Sequence, residues 1–312
     1  MSRSGPSSTI GGADPGPGAR SFSYAEAFSR HRGLIGPEEQ ERLRRARVAI
    51  VGMGGVGGIH LVTLTRLGIG AFHIVDPDGF ELPNFNRQFG ATMRGLGRGK
   101  AEVMAEEARA INPELDLRVF SERLTPANVD AILDGTDVLI DGIDFFSLDA
   151  RRLAFREAQR RGIFGVTAGP IGFSTAWLVF APTGMSFDEY FDLDDSMDRL
   201  DQTIAFLTGL CPEATHVPYM DMSQVDPKSG RGPSVGLACH LCSGVVAAEV
   251  TKILLGREPI EPVPCYAQFD AYRRELRTGR LPAGNGDPAR RELRQHLREQ
   301  FIQMGWGSPP MG

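Results

Sequence analysis

Short apolar runs alternate with helical patterns through the first half of the chain. Apolar runs of strand length predict buried β-strands at 47–52, 71–76, 116–121, 138–143 and 164–168. Apolar positions at helical spacing predict intervening helices near 55–67, 99–111, 126–134 and 148–161. Buried strands that alternate with helices are typical of a mostly parallel sheet covered on both faces. We therefore expect an α/β protein with a Rossmann-like, doubly wound sheet.

The pattern changes after Pro170. The runs TAWLVFAP at 175–182 and CYAQFDAY at 265–272 predict two further strands, as an antiparallel C-terminal extension of the sheet. The residues between them, 183–234, are rich in Asp, Met, Pro and Gly, and they predict a long variable loop of the kind that is functional or mobile. A run of small and apolar residues then predicts a buried helix that Gly256 ends.

The two ends of the chain differ from the domain between them. Residues 1–22 are rich in Gly, Pro and Ser and are expected to be a disordered leader. The domain itself is predicted to cover 23–280, with the alternating strands and helices as its core at about 47–170. Residues 281–312 are expected to form a tail with one short charged helix.

Composition narrows the class of protein. At 312 residues, 41% of them hydrophobic and 23% charged, the chain has the composition of a soluble globular protein. The net charge of -5 gives no electrostatic reason to expect DNA as a partner, and the arginines within 42–47 are interpreted as a solvated helix face. The leader lacks the apolar stretch of a secretion signal, and no apolar run of membrane-spanning length is expected. Four unevenly placed cysteines do not suggest a disulfide framework, so a cytoplasmic location is expected.

A glycine turn follows the first predicted strand. Gly52, Gly54 and Gly57 have the spacing GxGxxG, and the absence of side chains lets backbone N–H groups approach a phosphate at the start of the next helix. Asp76 closes the second strand 24 residues after Gly52, where a carboxylate accepts hydrogen bonds from ribose hydroxyls. These residues predict a nucleotide site, but they do not choose between NAD, FAD and ATP.

Three charged residues favour ATP. Arg87 and Lys100 are cations within reach of one phosphate end, and Asp144, expected at the end of the fourth strand, is placed to hold Mg²⁺. Phosphoryl and nucleotidyl transfer need such groups because negative charge builds up on the phosphate oxygens, whereas hydride transfer does not. The alternatives are a surface ion pair for Arg87, a solvated helix start for Lys100 and a helix cap for Asp144.

The chain carries, in order, the motifs GMGGVG, VDPD, NFNRQ, a lysine thirteen residues after the arginine, INP and DGID. This series resembles the MoeB/ThiF/HesA superfamily of adenylating enzymes, which are related to ubiquitin-activating enzymes. The resemblance covers about 25–180 and extends to the helix at 236–256. It implies an enzyme that uses ATP and Mg²⁺ and forms a homodimer.

The resemblance also implies a role for each matching residue. Asp76 would bind the ribose and Asp144 the Mg²⁺ ion. Arg30, in the run FSRH, takes the position of an arginine that reaches the ATP of the partner subunit. The residues that would contact phosphates are Asn84, Arg87 and Lys100. The other expected nucleotide-binding positions are the turn glycines and the glutamine after the arginine, Gly52, Gly54, Gly55, Gly57 and Gln88.

The cysteines depart from this superfamily. Many relatives bind zinc through two CxxC pairs, whereas this chain has one, formed by Cys239 and Cys242. Because tetrahedral zinc needs four ligands, we predict no zinc and interpret both cysteines as buried packing residues. Some relatives capture the activated carboxylate on a cysteine. Cys211, on a turn expected to be exposed, is the candidate nucleophile, and an ordinary loop cysteine is the alternative.

The sequence therefore predicts an ATP-dependent adenylyltransferase. It would convert a carboxylate, carried by a ubiquitin-like protein, a peptide or a small molecule, into an acyl-AMP with release of pyrophosphate. One alternative is an enzyme like the tRNA threonylcarbamoyl-adenosine dehydratase, which the acidic net charge disfavours. The others are an NAD(P)-dependent oxidoreductase, which NFNRQ and Lys100 disfavour, and a nucleotide-binding module without chemistry. No motif identifies the acceptor.

Overall fold

The computed structural model describes residues 21–221, 224 and 232–306. The strands are β1 Arg47–Val51, β2 Ala71–Val75, β3 Asp116–Phe120, β4 Val138–Asp141, β5 Phe164–Ile171, β6 Ser174–Phe180, β7 Cys265–Asp270 and β8 Glu275–Arg280. They form one eight-stranded sheet in the order β3-β2-β1-β4-β5-β6-β7-β8. The first five strands run parallel and the last three are antiparallel, which confirms the predicted fold class.

Helices cover both faces of this sheet. In the described part of the chain they are α1 Tyr24–Ala27, α2 Pro37–Arg45, α3 Gly57–Leu67, α4 Lys100–Ile111, α5 Val129–Leu133, α6 Leu148–Arg160, α7 Phe187–Phe191, α8 Arg199–Leu210, α9 Gly236–Leu255 and α10 Pro288–Gln303. On β1, Val48 and Ile50 point to the face covered by α3, α4 and α9, whereas Ala49 and Val51 point to the face covered by α5 to α8. Because both faces are buried, β1 is apolar without alternation, as the sequence pattern indicated.

Two helix ends show residue types that are typical of helix termini. Pro37 begins α2, and the Glu39 side chain accepts a hydrogen bond from the backbone N–H of Gly36 at 2.8 Å. Gly256 ends α9 in the left-handed conformation, with φ of 65°. Helix caps of this kind depend on neighbouring residues in the sequence and not on tertiary contacts, so they can be recognised in the sequence.

The predicted long loop at 183–234 is wrong in part, because two helices lie within it. Ser186 caps α7 by accepting from the N–H of Glu189, and Asp198 caps α8 by accepting from the N–H of Asp201. Aromatic rings from both helices then pack together beneath the sheet. The acidic and glycine-rich composition concealed these helices, although the two capping residues were visible.

The C-terminal part also differs from the expectation. Strand β8 was not predicted, since it is mostly polar and, among the described residues, pairs only with β7 at the edge of the sheet. Helix α10 is 16 residues long and begins at an Asp287 cap, so the tail is more helical than expected. The expected disordered leader falls, except for residues 21 and 22, outside the described residues.

Helix α9 is the one helix of the described chain that is long and apolar enough to cross a membrane. The sequence interpretation expected no run of that length. Its cysteines and valines belong to the same buried cluster as the sheet and α3, including Cys239, Cys242, Val246 and Val250. This packing is that of a core helix, as predicted for the run that Gly256 ends.

The two helical glycines Gly57 and Gly244 allow a matched test of the turn after β1. A Cβ on Gly57 would lie 1.7 Å from the carbonyl oxygen of Gly52, whereas nothing lies within 4 Å of a Cβ on the exposed Gly244. We expect Gly57→Ala to lower the free energy of unfolding by about 3 kcal/mol or more, since backbone must move. Gly244→Ala should raise it by up to about 1 kcal/mol through helix propensity. Urea unfolding measures both, and equal effects would contradict the close packing of this turn.

Candidate functional site

The site lies where the order of the strands reverses. From β1 the chain proceeds to β2 and β3 on one side, and then returns to β4 on the other side. The carboxyl ends of β1 and β4 therefore open a crevice between the two halves of the sheet. In doubly wound sheets, ligands bind in this crevice.

The glycine turn occupies this crevice and is packed backbone against backbone. Gly52 has φ of 95°, a conformation that other residues rarely adopt, and a Cβ there would lie 2.1 Å from the carbonyl oxygen of Gly142. The N–H of Gly142 donates to the carbonyl of Val51 at 2.8 Å. A Cβ on Gly55 would lie 3.3 Å from the Cys239 sulfur. The turn, the loop after β4 and the start of α9 therefore meet at one point.

Asp76 is held beside this turn. One carboxylate oxygen accepts from the N–H of Met53 at 2.6 Å and the other accepts from the N–H of Asp78 at 2.8 Å. Burial raises the pKa of Asp76, while these two bonds and the nearby Lys100 lower it. A carboxylate has about four acceptor positions, so each oxygen can still accept from a ribose hydroxyl.

The NFNRQ run forms a compact loop over the turn. The Asn84 side-chain oxygen accepts from the N–H of Glu81 at 2.9 Å, so this residue shapes the loop as well as lying at the site. Gln88 is buried, and a Cβ on Gly54 would lie 3.7 Å from its side-chain nitrogen. Its side-chain oxygen has no hydrogen-bond partner among the described residues. An unsatisfied acceptor beside a glycine turn is a feature that a bound nucleotide or water would complete.

Arg87 is not part of an ion pair with any carboxylate in the described residues. Its guanidinium donates to the carbonyl of Pro83 at 2.9 Å and to the side-chain oxygen of Asn86 at 3.0 Å. Its aliphatic part lies 3.9 Å from the position of a Cβ on Gly55. The alternative of a surface ion pair is therefore not what the structure shows. The positive charge is left available beside the turn.

Lys100 is the first residue of α4 and is buried, so the alternative of a solvated helix start is wrong. Its backbone N–H donates to the carbonyl of Asp78 at 2.8 Å, and its ammonium group lies 3.3 Å from the Asp78 carboxylate. The exposed fraction of the Lys100 side chain is 9%, against 57% for Asp78. The ammonium group of Lys100 is therefore buried, whereas the Asp78 carboxylate with which it pairs is exposed to solvent.

Asp144 was expected to end the fourth strand, and this expectation is wrong. Strand β4 ends at Asp141, and Asp144 lies exposed in the following loop, where one carboxylate oxygen accepts from the N–H of Phe146 at 3.0 Å. The N-cap residue of α6 is Ser147, so the carboxylate of Asp144 is not the helix cap. Asp144 lies two residues after Gly142, whose backbone packs on the glycine turn.

The guanidinium of Arg151, in α6, holds this loop, and sequence reasoning missed it. Its Nε donates to a carboxylate oxygen of Asp141 at 2.7 Å, and the Thr167 hydroxyl donates to the same oxygen at 2.7 Å. The same guanidinium donates to three carbonyl oxygens of the loop, at Ile143 (2.6 Å), Asp144 (3.2 Å) and Phe145 (3.3 Å). Arg151 therefore fixes the backbone that carries Asp144. The signal in the sequence was Asp141 near the end of a predicted strand, followed by Arg151 in the next predicted helix.

Aromatic side chains brace the other side of this loop. Phe145 packs on Phe206 of α8, with ring centres 5.2 Å apart, and Phe146 packs on Trp306, just after α10, at 6.2 Å. The Arg151 guanidinium also lies 4.4 Å from the centre of the Phe206 ring. Helix α8, which the sequence did not predict, and the residues just after α10 thus support the loop that carries Asp144.

Arg30 is not brought to this site within one chain. It lies exposed in a 3-10 turn beside α1, whose Tyr24 hydroxyl donates to the carbonyl of Gly68. Gly68 follows the last residue of α3, about 16 Å along the helix from the glycine turn at its start. The segment that carries Arg30 therefore packs at the opposite end of the sheet from the nucleotide crevice.

Three of the four cysteines are buried, and Cys265 is partly exposed. Cys239 and Cys242 lie in the core, as predicted, and the Thr175 hydroxyl donates to the Cys242 sulfur at 3.2 Å. Cys211 is also buried at the end of α8, so the expectation of an exposed turn is wrong. Burial raises the pKa of its thiol to about 12, which leaves it protonated near neutral pH. Such a thiol lacks the thiolate character of a nucleophile.

Arg151 and the exposed Arg156, both in α6, give a matched test of the loop support. Removing one partner of a buried ion pair leaves an uncompensated charge, so Arg151→Ala should lower the free energy of unfolding by about 3–5 kcal/mol. Arg156 pairs with Asp188 while its own side chain is 60% exposed, so Arg156→Ala should cost less than about 1 kcal/mol. Urea unfolding measures both values. A small change for Arg151→Ala would contradict the proposed support.

Known proteins share sequence similarity with this chain. A model of the ThiF family matches residues 28–288. A tRNA threonylcarbamoyladenosine dehydratase of Haemophilus influenzae is 34% identical over 158 residues, which is 50% of this chain and 60% of that protein. A probable adenylyltransferase/sulfurtransferase MoeZ of Mycobacterium tuberculosis is 27% identical over 237 residues, which is 73% of this chain and 53% of that protein. The chain thus spans less than two thirds of the length of these relatives.

Solved structures agree in fold. Escherichia coli MccB with MccA-N7isoASN gives a TM-score of 0.63 at 17% identity, over 86% of this chain and 74% of that one. PaaA gives 0.62 at 19% identity, over 87% and 77%. Escherichia coli TcdA, a tRNA N6-threonylcarbamoyladenosine dehydratase, gives 0.56 at 23% identity, over 74% and 95%. Since the family model spans most of the chain and the fold agrees with these structures, the chain belongs to the ThiF family.

Proposed function

We propose that this protein is an ATP-dependent adenylyltransferase that activates a carboxylate as an acyl-AMP and releases pyrophosphate. The observation that carries the proposal is the set of charges around the glycine turn. Asp76, Arg87 and Lys100 lie in the segment after β2, and Asp144 lies in the loop after β4. Lys100 is buried, and the guanidinium of Arg87 has no carboxylate partner among the described residues. Two cations and an acid suited to a hard metal ion match a triphosphate better than a dinucleotide.

The reaction then needs positioning and charge rather than a general base. A carboxylate acceptor is already ionised at neutral pH, so its oxygen attacks the α-phosphorus directly. The bond from the α-phosphorus to the bridging oxygen breaks, and pyrophosphate leaves with the electron pair. Arg87 and Lys100 would stabilise the negative charge that develops on the phosphate oxygens, as fixed charges do in a preorganised site.

Mg²⁺ fits the residues that are present. The carboxylate of Asp144 is exposed. One of its oxygens accepts a hydrogen bond from the N–H of Phe146, which orients the carboxylate. The described residues contain no group of three His, Cys, Asp or Glu side chains that could hold a metal ion by themselves. Mg²⁺ usually binds through one or two carboxylates together with phosphate and water. Asp144 would therefore hold the ion jointly with the nucleotide, and the ion would neutralise phosphate charge.

The class of acceptor is proposed from the relatives. A sulfur carrier protein adenylyltransferase of Thermus thermophilus is 38% identical over 112 residues, and MccB was crystallised with MccA-N7isoASN. We favour the carboxylate of a small protein or peptide. The 34% identity to the tRNA threonylcarbamoyladenosine dehydratase supports a second candidate, in which a modified tRNA is adenylated by the same site.

The nucleotide proposal is tested with Arg87→Ala and Asp144→Ala. Arg87→Ala removes a charged hydrogen-bond donor, so the Kd of this variant for MgATP, measured by calorimetry, should rise at least about tenfold. Asp144→Ala should remove ATP–pyrophosphate exchange, assayed with peptides, ubiquitin-like proteins and tRNA from the producing cell as acceptors. Arg66→Ala, at the far end of α3, is the matched control and should leave both unchanged. Tight NAD binding without MgATP binding would overturn the proposal.

We further propose a homodimer in which Arg30 acts on the partner subunit's nucleotide. Apolar side chains around the NFNRQ loop are exposed, among them Leu82, Phe89 and Met93, which a second copy would cover. Within the described residues no carboxylate binds Arg30, and its own chain's crevice lies at the other end of the sheet. A partner related by a two-fold axis would supply it reciprocally.

Mixing two inactive variants tests this arrangement. In a mixture of Arg30→Ala and Asp144→Ala subunits, half of the dimers contain one of each, and one of their two sites then has both residues intact. We expect about a quarter of the wild-type exchange activity to return after the subunits re-equilibrate. Each variant alone stays inactive. No recovery, in a mixture shown to contain mixed dimers, would mean that Arg30 does not act across the interface.

A further inference from the structure

The chain turns back sharply where α10 ends. Gly305 follows the helix with φ of 91°, and its N–H donates to the carbonyl of Ile302 at 2.9 Å. The N–H of Trp306 donates to the carbonyl of Phe301 at 2.8 Å, and the rings of these two residues lie 5.2 Å apart. These two hydrogen bonds, together with the contact across the turn, form a Schellman motif. The end of the helix therefore determines where Trp306 lies.

Helix α10 is itself anchored on α7 and α8. Arg291, Arg294 and Arg298 lie on one face of the helix, at helical spacing. The first two pair with Asp192, which follows α7, and the third pairs with Asp198, the N-cap residue of α8, at 2.7 Å. A small apolar cluster between α8 and α10 adds to these ion pairs. The helix that carries Trp306 is thus held in place along its length.

The Trp306 ring reaches the loop after β4. Its centre lies 6.2 Å from the centre of the Phe146 ring, within the range in which aromatic pairs attract each other. The other aromatic neighbour of Phe146 among the described residues is Phe145, at 5.2 Å, which belongs to the same loop. Trp306 is therefore the aromatic contact that connects Phe146 to another part of the described chain.

Phe146 in turn orients the carboxylate of Asp144, because its N–H donates to one of the carboxylate oxygens at 3.0 Å. The Arg151 guanidinium binds the carbonyl oxygens of Ile143, Asp144 and Phe145, so it fixes the backbone that carries this carboxylate. The direction of the carboxylate depends instead on the residue that donates to it. A force on the Phe146 ring is therefore transmitted to the carboxylate.

Resting on the proposed function, we propose that Trp306 is a positioning residue for the metal-binding carboxylate of Asp144, and that it acts through Phe146. Residues that hydrogen-bond a metal ligand hold it in place, and their loss weakens metal binding by about 10–100-fold. Loss of Trp306 leaves the hydrogen-bond donor present but lets it move. The expected effect is therefore at the lower end of this range.

Amide hydrogen exchange in the protein without metal or nucleotide tests the contact directly. Trp306→Ala should make the Phe146 N–H exchange about tenfold faster, since the loop opens more often, while the N–H groups of β1 keep their rates. Trp306→Phe keeps an aromatic ring and should restore the slower rate. Ile302→Ala, in the same helix and 51% exposed, is the matched control and should behave as the wild type.

Two results of the exchange measurement would overturn the proposal. One is an unchanged rate for the Phe146 N–H in Trp306→Ala. The other is faster exchange throughout the molecule, β1 included, because Trp306 would then support the stability of the whole fold and not the position of one loop.

Calorimetry with MgATP, and with ATP in EDTA, tests the consequence for the site. Trp306→Ala should raise the Kd for MgATP about tenfold and the Kd for metal-free ATP less than twofold. Gly305→Ala should act in the same direction, since other residues rarely adopt its φ of 91° and the turn that directs Trp306 would be strained. Equal changes in both Kd values, or no change in either, would contradict the positioning role.

The wild type separates this inference from the proposed function. If the wild type binds MgATP no more tightly than metal-free ATP, the proposed metal site fails and the positioning role fails with it. If the wild type prefers MgATP and Trp306→Ala keeps that preference, the positioning role alone is refuted.

Discussion

The contact between the turn after β1 and the loop after β4 is the constraint on which the site depends. Gly52, Gly57 and Gly142 meet there with backbone against backbone, and a single Cβ would intrude on a carbonyl oxygen at 1.7–2.4 Å. This closeness lets the start of α3 and the Asp144 loop face one crevice. With side chains at these three positions the strands could still pair, but the two loops would separate. The charges on either side would then no longer act on one ligand.

The charged groups of the crevice depend on supports of different strength. Asp76 is held by the backbone N–H groups of Met53 and Asp78, and the ammonium group of Lys100 lies 3.3 Å from the Asp78 carboxylate. The Asp144 loop depends instead on a distant residue, because the Arg151 guanidinium binds its carbonyl oxygens and the buried Asp141 carboxylate. A preorganised site needs such support, since fixed charges stabilise a developing charge only if they need not move. The family fold thus supplies the crevice, while helix α6 supplies its rigidity.

The C-terminal half of the molecule extends this arrangement in two directions. Helices α8 and α10 brace the Asp144 loop through Phe206 and Trp306. Strands β6 and β7 continue the same sheet beyond β5. The glycine turn, the loop after β4 and the turn between β5 and β6 therefore lie along one edge of a single continuous sheet.

The sequence by itself determined the parallel strands, the glycine turn and the residues around it. Strands β1 to β4 begin at the predicted residues and end within two residues of the predicted bounds, because strands buried on both faces are continuously apolar. The site residues that directly follow these strands, such as Asp76, could be placed for the same reason. Only the tertiary structure decided the features that depend on a partner far along the chain. Strand β8 lies at the edge of the sheet, where polar residues are tolerated. The role of Arg151 depends on its bond to Asp141. Cys211 is buried because it packs at the end of α8. Arg30 lies away from its own chain's crevice because Tyr24 ties its segment to the far end of α3. Local patterns record what a residue's own element requires, whereas these positions are set by contacts between elements.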